Sequence, residues 1–182
     1  LQYGSQLGGL LNFQMKHWDG KDRVYLESLL SLTSYLPEGQ EYRGNQHFAL
    51  QASIPTSTES GLFLAVDNKK GRGWRSNGRF NSTTVHMNGV QNIGDALTVR
   101  EHVSYLTRVE QQPGGLTEAL FASSPRLSTR NRNWFSVDWF VGGVGVDYQA
   151  TSSWKLNADV SAVIANRNSL GFLGTPDRID LG

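Results

Sequence analysis

Hydrophobic and polar residues alternate along most of this chain with a period of two. The longest run is 154–164, in which Trp154, Leu156, Ala158, Val160, Ala162 and Ile164 alternate with Lys155, Asn157, Asp159, Ser161 and Val163. A period of two held this long predicts a β-strand with two chemically different faces. The segment before it alternates as well, with Phe135, Val137, Trp139 and Val141 on one parity and Ser136 and Asp138 on the other. After Gly142-Gly143 the apolar parity shifts to Val144, Val146 and Tyr148. One extra residue in a β-bulge at the glycines would explain the shift. Residues 133–164 are thus expected to form a hairpin of two long strands with its turn at about 150–153.

Five further strands are expected upstream. Residues 23–35 place Val24, Leu26, Leu30 and Leu32 on a face interrupted by Ser28, with Tyr25, Glu27, Ser31 and Thr33 opposite. Residues 46–55 oppose Phe48, Leu50, Ala52 and Ile54 to His47, Gln51 and Ser53, and 61–68 keep Leu62, Leu64 and Val66 in phase. A weaker strand holds Val85 and Met87 against Thr84, His86 and Asn88 and ends in a turn at about 89–95. In 96–109, Leu97, Val99, Val103 and Tyr105 oppose Thr98, Arg100, His102 and Ser104, with Glu101 out of place on the apolar parity. A local bulge or a position at the membrane interface would accommodate that glutamate. A short helix is expected at 116–122 within the longest connection.

The connections sort by length. Those at 36–45, 69–79, 110–132 and beyond Asn166 are long, whereas those at 56–60, 89–95 and 150–153 are short. Long loops at one end and short turns at the other are how outer-membrane barrels are built. The strands also exceed the roughly five or six residues usual in soluble sheets, and about ten alternating residues cross a bilayer. These features predict an all-β, membrane-spanning antiparallel up-and-down β-barrel, of which about seven strands are present. A soluble β-sandwich would share the alternation but has no reason to segregate its loops.

Composition is consistent with β-structure: of 182 residues, 20 are Gly and 19 are aromatic (5 Trp, 6 Tyr, 8 Phe). A formal net charge of +1 implies no polyanion-binding field, so no nucleic-acid partner is expected. Without cysteine there is no disulfide, thiolate metal site or Cys nucleophile. No apolar run approaches the roughly eighteen residues of a membrane helix, which leaves a barrel open. The chain starts at Leu1, so either a leader has been removed or this is an internal piece of a longer protein.

Little in the sequence points to catalysis. The basic stretch 69–79 lacks both the spacing of a phosphate-binding loop and a following helix. His17, His47, His86 and His102 have no metal-ligand spacing within a segment, and no Gly-x-Ser-x-Gly elbow occurs. No enzyme activity, resident cofactor or metal site is therefore expected.

Specific residues resemble a known family. Tyr3-Gly4, Gly8-Gly9 and Asn12-Phe13 in the opening stretch resemble the end of the plug domain of TonB-dependent outer-membrane receptors of the ferric-citrate and siderophore type. Gly71-Arg72-Gly73-Trp74-Arg75, Gln111-Gln112-Pro113-Gly114-Gly115-Leu116-Thr117 with Ala119-Leu120-Phe121, Arg132-Asn133-Trp134-Phe135 with Val137-Asp138-Trp139, and Leu170-Gly171-Phe172-Leu173-Gly174 are similar to the early barrel of the same group. The resemblance implies that 1–16 close the plug, that 17–22 connect, and that 23–182 begin a plugged barrel of about twenty-two strands.

It further implies an outer-membrane active-transport receptor that takes up a ferric chelate, citrate or siderophore, with energy coupled through TonB. Iron would enter only as part of the cargo, and the partners would be the chelate, TonB and outer-membrane lipid. The long-loop residues Arg72, Trp74, Arg75, Gln111, Gln112, Arg130 and Arg132 have the cations and amides to meet a carboxylate-rich chelate. Other readings stay open at this level. One is a TonB-dependent receptor for cobalamin, haem or an oligosaccharide, and another is a soluble sandwich binding carbohydrate through Trp74, Trp134 or Trp154. A third is a barrel lipase, for which Ser104 and His102 lie about 7 Å apart along one strand, too far for direct proton transfer.

Overall fold

The computed structural model describes residues 16–32, 44–172, 174–175 and 178–180. Seven strands follow one another: β1 (Arg23–Leu32), β2 (Gly44–Pro55), β3 (Gly61–Arg72), β4 (Arg79–Ile93), β5 (Leu97–Gln111), β6 (Trp134–Gln149) and β7 (Lys155–Leu170). One short helix, α1 (Glu118–Ser123), interrupts them. The strands form one antiparallel sheet in the order of the chain, so the topology is a continuous up-and-down meander. Among the described residues, β1 and β7 are its two unpaired edges. The expected plug end falls almost wholly outside the described residues, as does 33–35 of the first expected strand.

Register assigns every strand residue to a face. Cross-strand partners share a face, and the pairs Leu26↔Leu50, Leu50↔Val66, Val66↔Val85, Val85↔Tyr105, Tyr105↔Phe140 and Phe140↔Ile164 run through all seven strands. This face is apolar yet open: Val24 is 75% exposed and Val160 76%. A contiguous apolar surface of this extent has to be covered by something other than water. On β7 it runs from Leu156 to Ile164, about 27 Å along the strand at about 3.4 Å per residue. A tilt of about 45° projects that to roughly 19 Å, somewhat less than the roughly 25 Å apolar band of an outer-membrane barrel.

The opposite face carries Glu27, His47, Asp67, Lys69, His86, Arg100, Arg108, Asp147 and Asp159, linked across strands. His47 contacts Asp67 and lies 3.6 Å from Glu27, Lys69 sits 3.3 Å from Asp67, and Arg100 pairs with Asp147 at 3.0 Å and Asp159 at 3.4 Å. Buried Ala49, Ser53, Phe63 and His86 share this parity. Segment 16–19 lies against it: Asn88 donates to the Lys16 carbonyl, and a Cβ on Gly61 would strike the Trp18 ring. The polar face is therefore the inner one.

The bulge expected at Gly142-Gly143 is not there. β6 keeps one unbroken register with both neighbours, from Trp134↔Leu170 to Gln149↔Lys155 and from Gln111↔Trp134 to Leu97↔Tyr148. The shift of parity is instead a real change of face: Val137, Trp139 and Val141 line the inner side, and Val144, Val146 and Tyr148 the outer. The glycines serve close approach, since a Cβ on Gly143 would collide with the His102 ring and the Val160 carbonyl. Glu101 needs no bulge either. It lies on the outer face over Gly89, whose missing side chain makes the room.

Candidate functional site

Short turns at 56–60, 94–96 and 150–154 close one end of the sheet, and 73–78, 112–133 and the described residues 171–172, 174–175 and 178–180 gather at the other. The stretch 69–79 is less of a loop than its sequence suggests. Lys69, Lys70, Gly71 and Arg72 complete β3 and Arg79 opens β4, leaving 73–78 as the turn. Helix α1 starts two residues later than expected, where the Thr117 hydroxyl accepts from the Leu120 amide at 3.2 Å, an N-cap bond.

The loops are tied together through backbone carbonyls. Arg75 donates to Leu127 at 3.0 Å and to Pro113 at 3.2 Å, and also to Gly114. Burial pushes its guanidinium pKa down from the ordinary value. Asn77, in the left-handed region at φ 52°, sends one amide nitrogen to the carbonyls of Gln112 and Asn133, each at 3.1 Å, and of Arg130. Thr129 is 0% exposed and donates to Gly115 at 3.0 Å. Arg130, 4% exposed, donates to Thr129 at 2.7 Å, Gly174 at 2.6 Å and Thr175 at 2.9 Å, and to Arg178. Its guanidinium also stacks 4.7 Å from the Phe172 ring centroid.

The seven residues expected at the site thus divide. Arg75 and Arg130 spend their donors on the loops themselves. Arg72 lies on the outer face, paired with Arg79, and Gln111 accepts from the Arg79 amide at 3.1 Å. Gln112 is exposed, and its backbone joins the Asn133 carbonyl at 2.9 Å. Arg132 is held at 2.8 Å and 3.2 Å by Asp180, and Trp74, 54% exposed, has the Arg126 guanidinium 5.2 Å from its ring centroid. Trp74, Gln112 and Arg132 are the three that stand open at the rim.

Beneath these loops the inner face forms a cleft of about 660 Å³. Lys69, Arg108, Glu110 and Asp67 line it, with Ser82 and Thr84 on its floor and Trp74 at its edge. Arg108 pairs with Glu110, and Lys69 with Asp67. Opposite charges share the cleft, so it can bind a ligand that exchanges one partner of an ion pair for another. Sequence reasoning missed Arg108 and Glu110. Their inner parity on β5, next to the loop end, is the signal that would have found them.

Ser104 and His86 are direct partners across β4 and β5, with Oγ and Nδ1 3.1 Å apart. The sequence brings Ser104 no closer to a histidine than His102 on its own strand face, too far for direct transfer; the cross-strand partner is His86. The other nitrogen of His86, Nε2, is buried with no hydrogen-bond partner, so the group that would orient a catalytic imidazole is missing among the described residues.

The sequence matches no protein-family model and no curated protein. The structure does match a solved one: the ferric citrate transporter FecA in its unliganded form, with a TM-score of 0.79 over 95% of this chain. The fold is that of the FecA barrel. Identity is 18%, and the chain spans 26% of the FecA chain. Like that barrel, the sheet is all-β and antiparallel, with strands following in chain order. No helix among the described residues is long and apolar enough to cross a membrane, which says nothing of strands.

Proposed function

We propose that this chain forms part of a TonB-dependent outer-membrane receptor that imports a ferric chelate, with residues 1–16 closing the plug and 17–22 leading into the barrel. The observation that carries the reading is the likeness to the FecA barrel over 95% of the chain. The exposed apolar outer face and the segregated loops support it independently. In this reading the cargo enters from the loop end. Trp74, Gln112 and Arg132 meet it at the rim, and Lys69 and Arg108 receive its carboxylates in the cleft below. Arg75 and Arg130 hold the rim loops in place. Transport is a change of affinity driven through the plug, with no bond made or broken.

The test is uptake of radioactive iron as ferric citrate by cells that depend on the full-length protein carrying this chain. Uptake that requires the protein and collapses when the proton-motive force is dissipated is expected. Iron uptake unaffected by deleting the protein overturns the cargo. Entry that persists without the proton-motive force overturns the coupling.

A further inference from the structure

We infer that Lys70, Arg72 and Arg79 form an outward-facing site for the phosphate of an anionic lipid headgroup. The inference rests on the barrel reading above. Arg72 and Arg79 are direct cross-strand partners at the loop end of β3 and β4, and Lys70 pairs with Asn81 one step below on the same face. Side chains directly opposite each other have Cβ atoms about 5 Å apart, and like charges so placed repel. Two arginines and a lysine within about 7 Å along a strand therefore call for a counter-anion.

No protein carboxylate supplies it among the described residues. Asp67 of β3 and Glu110 of neighbouring β5 belong to the inner parity, where Lys69 and Arg108 pair with them. The three cations instead border a groove of about 430 Å³ with Asn81, Val109 and Gln111. Asn81 and Gln111 add amide groups beside the charges, and half-exposed Val109 offers an apolar wall. Arginine forks match phosphate oxygens two at a time, while lysine contributes a point charge.

Position selects a lipid as the source of the phosphate. On β3 and β4 the apolar run of this face ends at Val66 and Val85, followed by the polar pair Asn68↔Thr83 and then by Lys70, which is level with Val109 of β5. Four residues from Val66 to Lys70 span about 14 Å along the strand, or about 10 Å of height at a tilt of about 45°. Arg72 and Arg79 stand about 5 Å higher than Lys70, and all three long side chains can reach back to the headgroup layer, which is several ångströms thick on each side of the hydrocarbon core.

The full-length protein in detergent is offered phosphatidic acid or diacylglycerol, which differ by the phosphate, and retained lipid is counted by native mass spectrometry. The wild type is expected to retain phosphatidic acid about tenfold over diacylglycerol, with the preference weakening as salt rises. K70Q/R72Q/R79Q is expected to lose the preference, and K155Q/R100Q/R167Q, equal in charge but on the inner face, to keep it. No preference in the wild type, which needs no variant to fold, overturns the inference. So does equal loss in both variants, which would mean a net-charge effect. Displacement of phosphatidic acid by an equal concentration of inorganic phosphate would make free phosphate the ligand and overturn the lipid source. Heat-modifiable migration of the wild type on a gel is read in the same samples. Its absence sinks the barrel reading itself, whereas a folded barrel with no phosphate preference sinks this inference alone.

Discussion

Arg75, in the turn between β3 and β4, donates Nε to the carbonyl of Leu127 at 3.0 Å, across a separation of 52 residues. Its other nitrogens reach Pro113 and Gly114. One side chain therefore sets the position of the 112–133 loop over the cleft. Truncation in Arg75→Ala strands these carbonyls and is expected to destabilise the loop end by about 2 kcal/mol or more. Lysine would not restore it, because a single ammonium cannot reproduce the planar fork. Hydrogen exchange should speed up across 112–133 while the β4–β5 ladder stays protected. Unchanged exchange in the loop would mean that the tie carries no load.

Asn77 separates two contributions that usually travel together. Asn77→Gly keeps the left-handed backbone accessible but removes the amide that serves three carbonyls, whereas Asn77→Ala also strains the turn. Glycine is expected to cost about 1–3 kcal/mol through the lost bonds, and alanine about 1 kcal/mol more. Denaturant unfolding of the two variants measures both. A glycine variant as stable as the parent would assign the residue to backbone conformation alone.

The two faces of β7 give a direct test of the membrane assignment. Val160→Arg puts a charge on the exposed apolar face and is expected to cost about 2–4 kcal/mol if the site lies near mid-bilayer. Asp159→Asn breaks an exposed pair with Arg100 on the inner face and is expected to cost under about 1 kcal/mol. Equal effects in a reversible folding titration into lipid would mean the faces are reversed or that neither meets lipid.

Much of this fold was legible in the residues because the apolar band imposes its period where it exists. Val85 and Met87 marked β4, and Leu156 to Ile164 marked β7. Where strands leave the band the period vanishes, although the hydrogen bonds continue. Lys69 to Arg72 at the end of β3, Arg79 at the start of β4 and the last stretch of β7 through Arg167 and Asn168 therefore read as loop. The rim residues were found by charge and position, but their roles were not. The partners of Arg75 and Arg130 are backbone carbonyls, which every residue possesses and no sequence distinguishes. The change of face at Gly142-Gly143 was misread as an inserted residue, because apolar side chains on an inner face mimic a slip in register.

Those glycines yield a sharper comparison. At Gly143 an added methyl meets the His102 ring and the immovable carbonyl of Val160, whereas at Gly145 it meets only the ends of the Asp159 and Arg100 side chains. Gly143→Ala is expected to cost about 1–3 kcal/mol and Gly145→Ala well under that. Thermal denaturation of the two side by side measures the difference. Equal stability would mean that β6 and β7 can part at this point.

At the connector, desolvation pushes the Asp19 carboxyl up, and the Arg23 guanidinium 2.6 Å away overrides it and holds it below 3.8. A depressed carboxyl contributes its stabilisation above the unfolded value and loses it as pH falls through the folded one. Docking of 16–22 is therefore expected to loosen only below about pH 3.8, and Asp19→Asn to abolish that dependence. An NMR titration of the carboxyl checks the sign, and an upward shift would contradict the pair.

The order of strands in space equals their order in the chain, and this bears on how such a sheet is made. Each strand docks on the one synthesised just before it, so no strand has to be threaded between two already joined. Closing each hairpin requires only a nearby segment, which keeps the entropy lost at every step small. The sheet can therefore grow one strand at a time from β1 to β7, each new strand finding its partner at the edge just formed.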